Sequence, residues 1–400
     1  MKTKTEKNLL GRSSLTSGFR LRLILVILFF LLGACKDSGT MPQQTPSPAP
    51  TSGAGDAQSP RPVASYADVV SQVAPAVVTI RSERRVRAPQ QYPFHNDPFF
   101  RRFFGPSTPS APQRPPESRE TGLGSGVVVS VDGYIVTNHH VIDGAEDIKV
   151  IFNNNGSFAA KVVGSDPASD LAVLKIDAHN LAILPLGDSD RVRVGDVALA
   201  IGSPLGLSQT VTAGIISAKG RSTGVSDGSF EDFLQTDAPI NQGNSGGALI
   251  NTNAELVGIN SQIMSSTGGN IGIGFAIPAN MTRNVMTQLI ETGRVRRGKL
   301  GIVIQPVTSD LAASLGLPEV RGVLVSDVEP GSPAERAGVR RGDVILAFNG
   351  TPVIDGNSLR NQVASTQPGT EVTLTVFRDG REQQLRATLA EFTPATEARE

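Results

Sequence analysis

Three short segments carry residue types able to do acyl-transfer chemistry. In Gly243-Asn244-Ser245-Gly246-Gly247 a serine is set among glycines. A tight turn there exposes the hydroxyl, and backbone N–H groups of the turn can converge on one point, where such donors stabilise the oxyanion of a tetrahedral acyl intermediate. Tyr134 to Val141 reads as a strand running into the pair His139-His140, in a chain with four histidines. Ser169-Asp170-Leu171-Ala172-Val173-Leu174 opens an apolar strand with an aspartate. Taken singly, each has an ordinary alternative: a glycine turn, a structural histidine, a turn-forming or capping aspartate. Taken together they make a set, because a serine hydroxyl needs a base to become nucleophilic and an imidazole needs a carboxylate to hold its tautomer. His140 and Asp170 lie 30 positions apart, and Asp170 and Ser245 lie 75 apart.

Those groups must be delivered by a scaffold. Glycine (42) and proline (27) are abundant, which favours short strands joined by tight turns over long helices. Strand-like runs recur at Ala76–Ile80, Gly126–Ser130, Tyr134–Thr137, Ile148–Phe152, Ala159–Gly164, Leu171–Ile176, Val197–Ile201, Gln209–Ser217, Leu256–Ile259 and Gly274–Ile277. Repeated strands without intervening helices indicate an all-β barrel or sandwich. The order His, Asp, Ser is that of the chymotrypsin fold, in which a cleft between two barrels assembles the three groups. One helix is expected after Asn280, which can cap it. Met281, Val285, Met286, Leu289 and Ile290 share a face, and Gly293 ends it. Arg294–Lys299 reads as a linker. From about 300 to 391 a second unit alternates strand-like runs (Leu300–Pro306, Gly322–Val328, Val344–Phe348, Glu371–Arg378) with helical ones (Ala334–Ala337, Ser358–Ser365), and Asn349-Gly350 and Asp379-Gly380 are hairpin signals.

Hydrophobic residues make up 39% of the chain, enough for ordinary cores, and the formal charge is zero, so nothing calls for nucleic acid. The N-terminus reads as a targeting signal: a basic stretch ends at Arg22, and Leu23–Leu32 is apolar but too short to span a bilayer. Leu32-Gly33-Ala34-Cys35 resembles a bacterial lipobox, which makes residues 1–34 a lipoprotein signal peptide and Cys35, the single cysteine, the lipidated residue. The alternative is a plain signal peptide or an uncleaved anchor. Residues 35–65 are a Pro/Ser-rich tether. Gly122-x-Gly124-x-Gly126 is followed by a strand rather than a helix, so it is no phosphate loop, and no cluster has zinc-ligand spacing. No cofactor is implied.

Several segments resemble the HtrA (Deg) family of bacterial envelope proteases, in family order: GSGVVVSVDGYIVTNHHVI, SDLAVLKI, QTDAPINQGNSGGALIN and GNIGIGFAIP. The resemblance covers about 66–391. It implies a mainly β protein: a chymotrypsin-like double β-barrel protease domain over 66–295 with a regulatory loop at 83–120, a PDZ domain over 298–391, and a tail, 392–400. It assigns His140 rather than His139 as base, Asp170 rather than Asp143 as orienting carboxylate, and Ser245 as nucleophile. The oxyanion hole falls to the N–H groups of Gly243 and Ser245, with Asn244 in the turn. Pro239 and Gln242 depart from the commonest family pattern; neither removes a reacting group, and the detail of the substrate pocket is what they leave open. PFFRRFFG (98–105) resembles the regulatory loop, expected to dock on a neighbouring subunit or over the active site, with local packing as the alternative. Arg221 resembles the residue that senses PDZ occupancy, with a solvated loop arginine as the alternative. Leu300-Gly301-Ile302 resembles the carboxylate-binding loop of a PDZ domain, where a C-terminal peptide adds a strand to the sheet edge. The implied activity is ATP-independent endoproteolysis of misfolded envelope proteins by trimers or multiples of trimers. A PDZ-gated protease with one signalling partner, and a chaperone or scaffold with little proteolysis, are the rival readings. Lys36 after Cys35 favours the outer membrane.

Overall fold

The computed structural model describes residues 65–86, 118–203, 209–223, 230–241, 243–263 and 270–393. The signal peptide, Cys35, nearly all of the tether, the phenylalanine-rich segment 98–105, Gln242 and residues 394–400 lie outside the described residues.

A short helix, α1 (Ala67–Val73), leads through a 3-10 turn into the first set of strands. These are β1 (Val77–Val86), β2 (Ser118–Val128), β3 (Tyr134–Thr137), β4 (Asp147–Ile151), β5 (Ser157–Asp166) and β6 (Leu171–Ile176), with a helical turn, α2 (His139–Ile142), after β3. They close a barrel in the order β1-β2-β3-β6-β5-β4. The second set closes another, in the order β10-β11-β12-β9-β8-β7. Its strands are β7 (Val197–Gly202), β8 (Thr210–Arg221), β9 (Phe233–Thr236), β10 (Ala248–Ile250), β11 (Leu256–Ile263) and β12 (Gly274–Pro278). This is the double barrel expected. α1, β9 and β10 add to the elements expected from the sequence. Both ends of the expected loop 83–120 are strand: β1 runs on to Val86 and β2 begins at Ser118.

Helix α3 (Ala279–Thr292) covers the first barrel with Val285 and Leu289, both in its core. Burying one such side chain contributes about 1.5–3 kcal/mol. Gly164, at a bulge in β5, makes room for it: a Cβ there would lie 2.9 Å from Leu289 and 3.0 Å from the Gly293 carbonyl. The expected cap at Asn280 is corrected. The helix starts two residues earlier than that, with Pro278 at the N-cap position, and Asn280 donates instead to Asp188 at 2.8 Å. Gly293 does close the helix in the left-handed region, φ 73°.

The glycines at 122, 124 and 126 sit in β2, where small size is the point. A Cβ at Gly124 would lie 2.6 Å from Val141 and 3.2 Å from the Ser245 carbonyl. The histidine turn and the serine loop thus converge on this strand.

The last unit packs a sheet in the order β14-β15-β16-β18-β19. It begins with β13 (Gly298–Lys299) and β14 (Ile302–Pro306), then α4 (Ser309–Leu315), β15 (Val323–Val328), α5 (Pro333–Arg336) and β16 (Val344–Phe348). It continues through β17 (Thr351–Pro352), α6 (Gly356–Ser365), β18 (Glu371–Arg378), β19 (Arg381–Thr388) and β20 (Ala390–Glu391). Both expected hairpins form, with positive φ at Asn349, Gly350, Asp379 and Gly380. Helix α6 opens on a capping box between Asp355 and Ser358. Asp343, 1% exposed, holds Arg378 through two 2.7 Å contacts, and the same guanidinium reaches the Gly338 carbonyl.

Arg294–Lys299 is more than a linker. Gly298 and Lys299 pair with Glu391 and Ala390. Arg297, buried, grips Asp166 of β5 with both nitrogens of its fork. A composition-based reading sees a mainly basic run here, whereas the tertiary structure supplies a buried carboxylate.

Candidate active site

Strand pairing delivers the first two groups. β3 pairs with β6, placing Thr137 opposite Ala172, so the residues just after β3 meet the residue just before β6. Asn138, fully buried, donates its side-chain amide to the Asp170 carbonyl at 3.0 Å, and the His139 N–H reaches the same oxygen at 3.1 Å. The His140 N–H donates to Asp170 Oδ1 at 3.0 Å, and its Nδ1 lies 2.9 and 2.8 Å from the two carboxylate oxygens. Since a carboxylate only accepts, Nδ1 carries the proton and Nε2 is left as the base. Asp170 sits at φ 56°, a strained conformation that the surrounding bonds must hold. Ser261 on β11 adds a bond from its hydroxyl to Asp170 Oδ2, 2.8 Å. His139 faces elsewhere: its Nδ1 meets the Ser165 hydroxyl at 2.6 Å, and Asp143 lies 3.7 Å from its Nε2. His140 and Asp170 thus form a pair from which His139 and Asp143 face away.

The serine turn comes from the second barrel. Gly243 (φ 100°) and Gly246 (φ 81°) take conformations that suit glycine. A Cβ on Gly246 would also collide with the Ser125 carbonyl. Ser125, on β2 of the first barrel and fully buried, ties the turn down: its hydroxyl donates to the Gly243 carbonyl at 2.6 Å and accepts the Ser203 N–H at 2.8 Å. Its own N–H donates to the Ser245 carbonyl at 2.8 Å. Among the described residues no acceptor takes the N–H of Gly243 or Ser245. Asn244, in the turn, donates its N–H to the Asn241 carbonyl, and Gly202 accommodates it, since a Cβ there would lie 2.5 Å from the Asn244 Oδ1. The Ser245 hydroxyl donates to the Ser261 carbonyl at 3.0 Å, and no hydrogen bond joins it to His140. The structure thus brings His140 and Asp170 together and leaves the serine hydroxyl parked one residue's carbonyl away. Ser125 and Ser261 were missed by sequence reasoning, since an isolated serine in a strand carries no signal of its partners.

A cleft of about 390 Å³ borders the site, lined by His140, Asp170, Phe230, Phe233, Ser261 and Gln262. A second, of about 400 Å³, lies between β14 and α6 and is lined by Leu300, Gly301, Ile302, Leu359, Val363 and two phenylalanines, Phe230 and Phe392. β14 is the edge strand of its sheet, so a peptide could add there. Gly301 has φ 80°, and a Cβ on it would collide with Ser332.

The joint between the units runs through the same neighbourhood. Asn357 and Asn361 of α6 donate to the Glu231 carbonyl at 2.8 and 2.6 Å, and the Glu231 carboxylate accepts from Ser222 and Thr223. Arg221 ends β8 on the exposed side, its Nε 3.2 Å from Gln235. Burial pushes the Asp232 carboxyl up to about 6, with Asp190 and Asp355 raising it further and Lys219 opposing.

Residues 124–259 match the trypsin-like peptidase domain and residues 298–389 the PDZ domain. The chain is 46% identical over 341 residues to the probable periplasmic serine endoprotease DegP-like of Chlamydia muridarum (82% of this chain, 68% of that protein). It is 44% identical over 341 residues to the periplasmic pH-dependent serine endoprotease DegQ of Escherichia coli (85% and 73%). Among solved structures it resembles the HtrA-type protease AlgW with tripeptide, TM-score 0.66 at 43% identity (82% and 98% covered), and the same protease with decapeptide, TM-score 0.63 at 46% identity (82% and 99%).

Proposed function

We propose that this chain, which belongs to the HtrA/Deg family of trypsin-like, PDZ-bearing serine endoproteases, degrades misfolded proteins on the periplasmic side of the cell envelope through a triad of His140, Asp170 and Ser245. The observation that carries the assignment is the His140–Asp170 pair, closed by Ser261, beside a glycine turn that presents Ser245. In the reaction the Ser245 hydroxyl leaves the Ser261 carbonyl, rotates to His140 Nε2 and gives up its proton as it attacks the scissile carbonyl. The N–H groups of Gly243 and Ser245 receive the oxyanion. His140 then protonates the leaving amine, and water releases the acyl-enzyme by the same route.

The finer assignments belong to the same proposal. Leu300, Gly301 and Ile302 bind the carboxylate of a C-terminal peptide, supported by the apolar groove beside an open strand edge. Cys35 carries a lipid that anchors the protein, with the outer membrane favoured by Lys36. Assembly as trimers or their multiples, control by Arg221 and by the loop within 83–120, and the preference for unfolded substrates rest on the family resemblance. A PDZ-gated protease with a single partner is the second reading, favoured by the parked serine.

Incubating the chain and its Ser245→Ala twin with unfolded casein, with and without a peptide ending in an apolar residue, tests this. Loss of casein in the wild type alone is the expected result. Loss only with peptide would move the reading to the gated protease, and no loss in any condition would sink proteolysis as the function.

A further inference from the structure

Phe230 forms a wall common to both clefts. It borders the catalytic one beside His140 and Asp170, and the peptide groove beside Ile302 and Leu359. It is only 9% exposed. Its N–H donates to the Ala168 carbonyl at 2.8 Å, inside the turn that delivers Asp170. The Arg297 guanidinium lies 4.5 Å from its ring centre, and that same guanidinium grips Asp166, whose Oδ2 accepts the Ser169 N–H at 3.1 Å. Two anchors of the 166–169 turn therefore pass through the stack of Phe230 on Arg297. That turn needs anchors, because it ends on an aspartate with positive φ.

Arg360 also lies over the Phe230 ring, 5.8 Å from its centre, and Phe392, the residue after β20, reaches the ring from the end of the second unit. The Phe392 ring meets Phe230 edge-on, centroids 5.7 Å apart at 86°, a favoured arrangement for two aromatic rings. The Phe392 N–H donates to the Arg297 carbonyl at 2.8 Å. Pairing of β20 with β13, and Arg296 on Glu391 at 2.7 Å, fix the phenylalanine in this place. No catalytic candidate lies near it in sequence, and nothing in the trypsin-like match reaches it.

We propose that Phe392 is a positioning residue for proteolysis: it holds Phe230 and Arg297 from the PDZ side, and through them the turn that aims Asp170 at His140. A C-terminal peptide with an apolar end, seated in the groove that Phe392 lines, bears on the same ring. The inference rests on Asp170 being the orienting carboxylate.

The test compares the full chain with Phe392→Ala, Phe392→Leu and Phe392→Tyr. Four quantities are read: kcat and KM on a fluorogenic peptide, the rate at which a fluorophosphonate labels Ser245, and the affinity for an apolar-ended peptide. Misplacing a catalytic group by a fraction of an ångström slows turnover strongly, so Phe392→Ala should lower kcat and the labelling rate by about tenfold with KM changed less than about twofold. Tyrosine should restore both and leucine only part, since the edge-to-face contact needs a ring. Unchanged kcat and labelling in Phe392→Ala would overturn the proposal. So would a loss that saturating peptide fully restores, which would make Phe392 a wall of the groove only. So would equal losses in Phe392→Ala and Phe392→Tyr. A wild type without Ser245-dependent cleavage would instead sink the protease reading itself, which separates the two failures.

Discussion

The two halves of the proposed catalytic centre are held very differently. On the first barrel, Asp170 receives bonds from Asn138, His139, His140 and Ser261, so the imidazole is oriented before any substrate arrives. On the second barrel, the serine turn is held through its carbonyls by Ser125, while the hydroxyl of Ser245 rests on a neighbouring carbonyl rather than on the base. Strand pairing thus presets His140 and Asp170, the proposed base and carboxylate, as a unit, whereas bringing Ser245, the proposed nucleophile, onto that unit requires its hydroxyl to leave the Ser261 carbonyl. A bond to a neutral carbonyl is worth about 1 kcal/mol net, which substrate binding can readily offset.

The strongest way to break this contrast is Asp170→Asn. It preserves shape but presents the wrong hydrogen-bonding face to His140, and kcat should fall about 10⁴-fold with KM little changed, as steady-state kinetics would read. Gly246→Ala attacks the other half. The added Cβ meets the Ser125 carbonyl in a backbone conformation that disfavours alanine, so folding stability should drop by about 2 kcal/mol or more and activity should be lost, seen in denaturant melts beside labelling of Ser245. Ser125→Ala is gentler and more informative. It removes the strut between the halves and strands the Gly243 carbonyl and the Ser203 N–H, costing about 1–3 kcal/mol of stability. If the serine turn depends on that strut, fluorophosphonate labelling should slow while the ring resonances of His140, followed by NMR at one pH, stay in place.

An effect that should leave turnover untouched concerns neither half. Burial raises the Asp232 carboxyl to about 6 from an ordinary 3.8, with Asp190 and Asp355 adding to the shift. A raised carboxylate pKa means that the folded state binds the proton more tightly than the unfolded one. The contribution to stability is therefore fully present below about pH 3.8 and is lost as pH rises through about 6. Asp232→Asn should flatten the dependence of Tm on pH across that window, by at most about 3 kcal/mol in stability, and leave the Ser245 labelling rate at pH 8 unchanged. An unaltered pH slope in the variant would show that other groups carry it.

Much of this was legible in the residues themselves. Local chemistry determines the glycine turn around Ser245, the hairpins at Asn349-Gly350 and Asp379-Gly380, the stop at Gly293 and most strands, because each depends on neighbours within a few positions. The order and spacing of His140, Asp170 and Ser245 were readable for the same reason: motif residues sit where strands begin and end. What the tertiary structure alone decided involves partners far apart in sequence. Ser125 and Ser261 meet the active site, Arg297 finds Asp166 across 131 positions, and Phe230 joins Phe392. Asn280, capable of capping its helix, turns to Asp188 instead. A lone polar or aromatic residue has no pattern that names its partner. Only closing the barrels and docking the last sheet brings such groups within hydrogen-bonding range, where burial makes each unpaired group costly and so selects one arrangement.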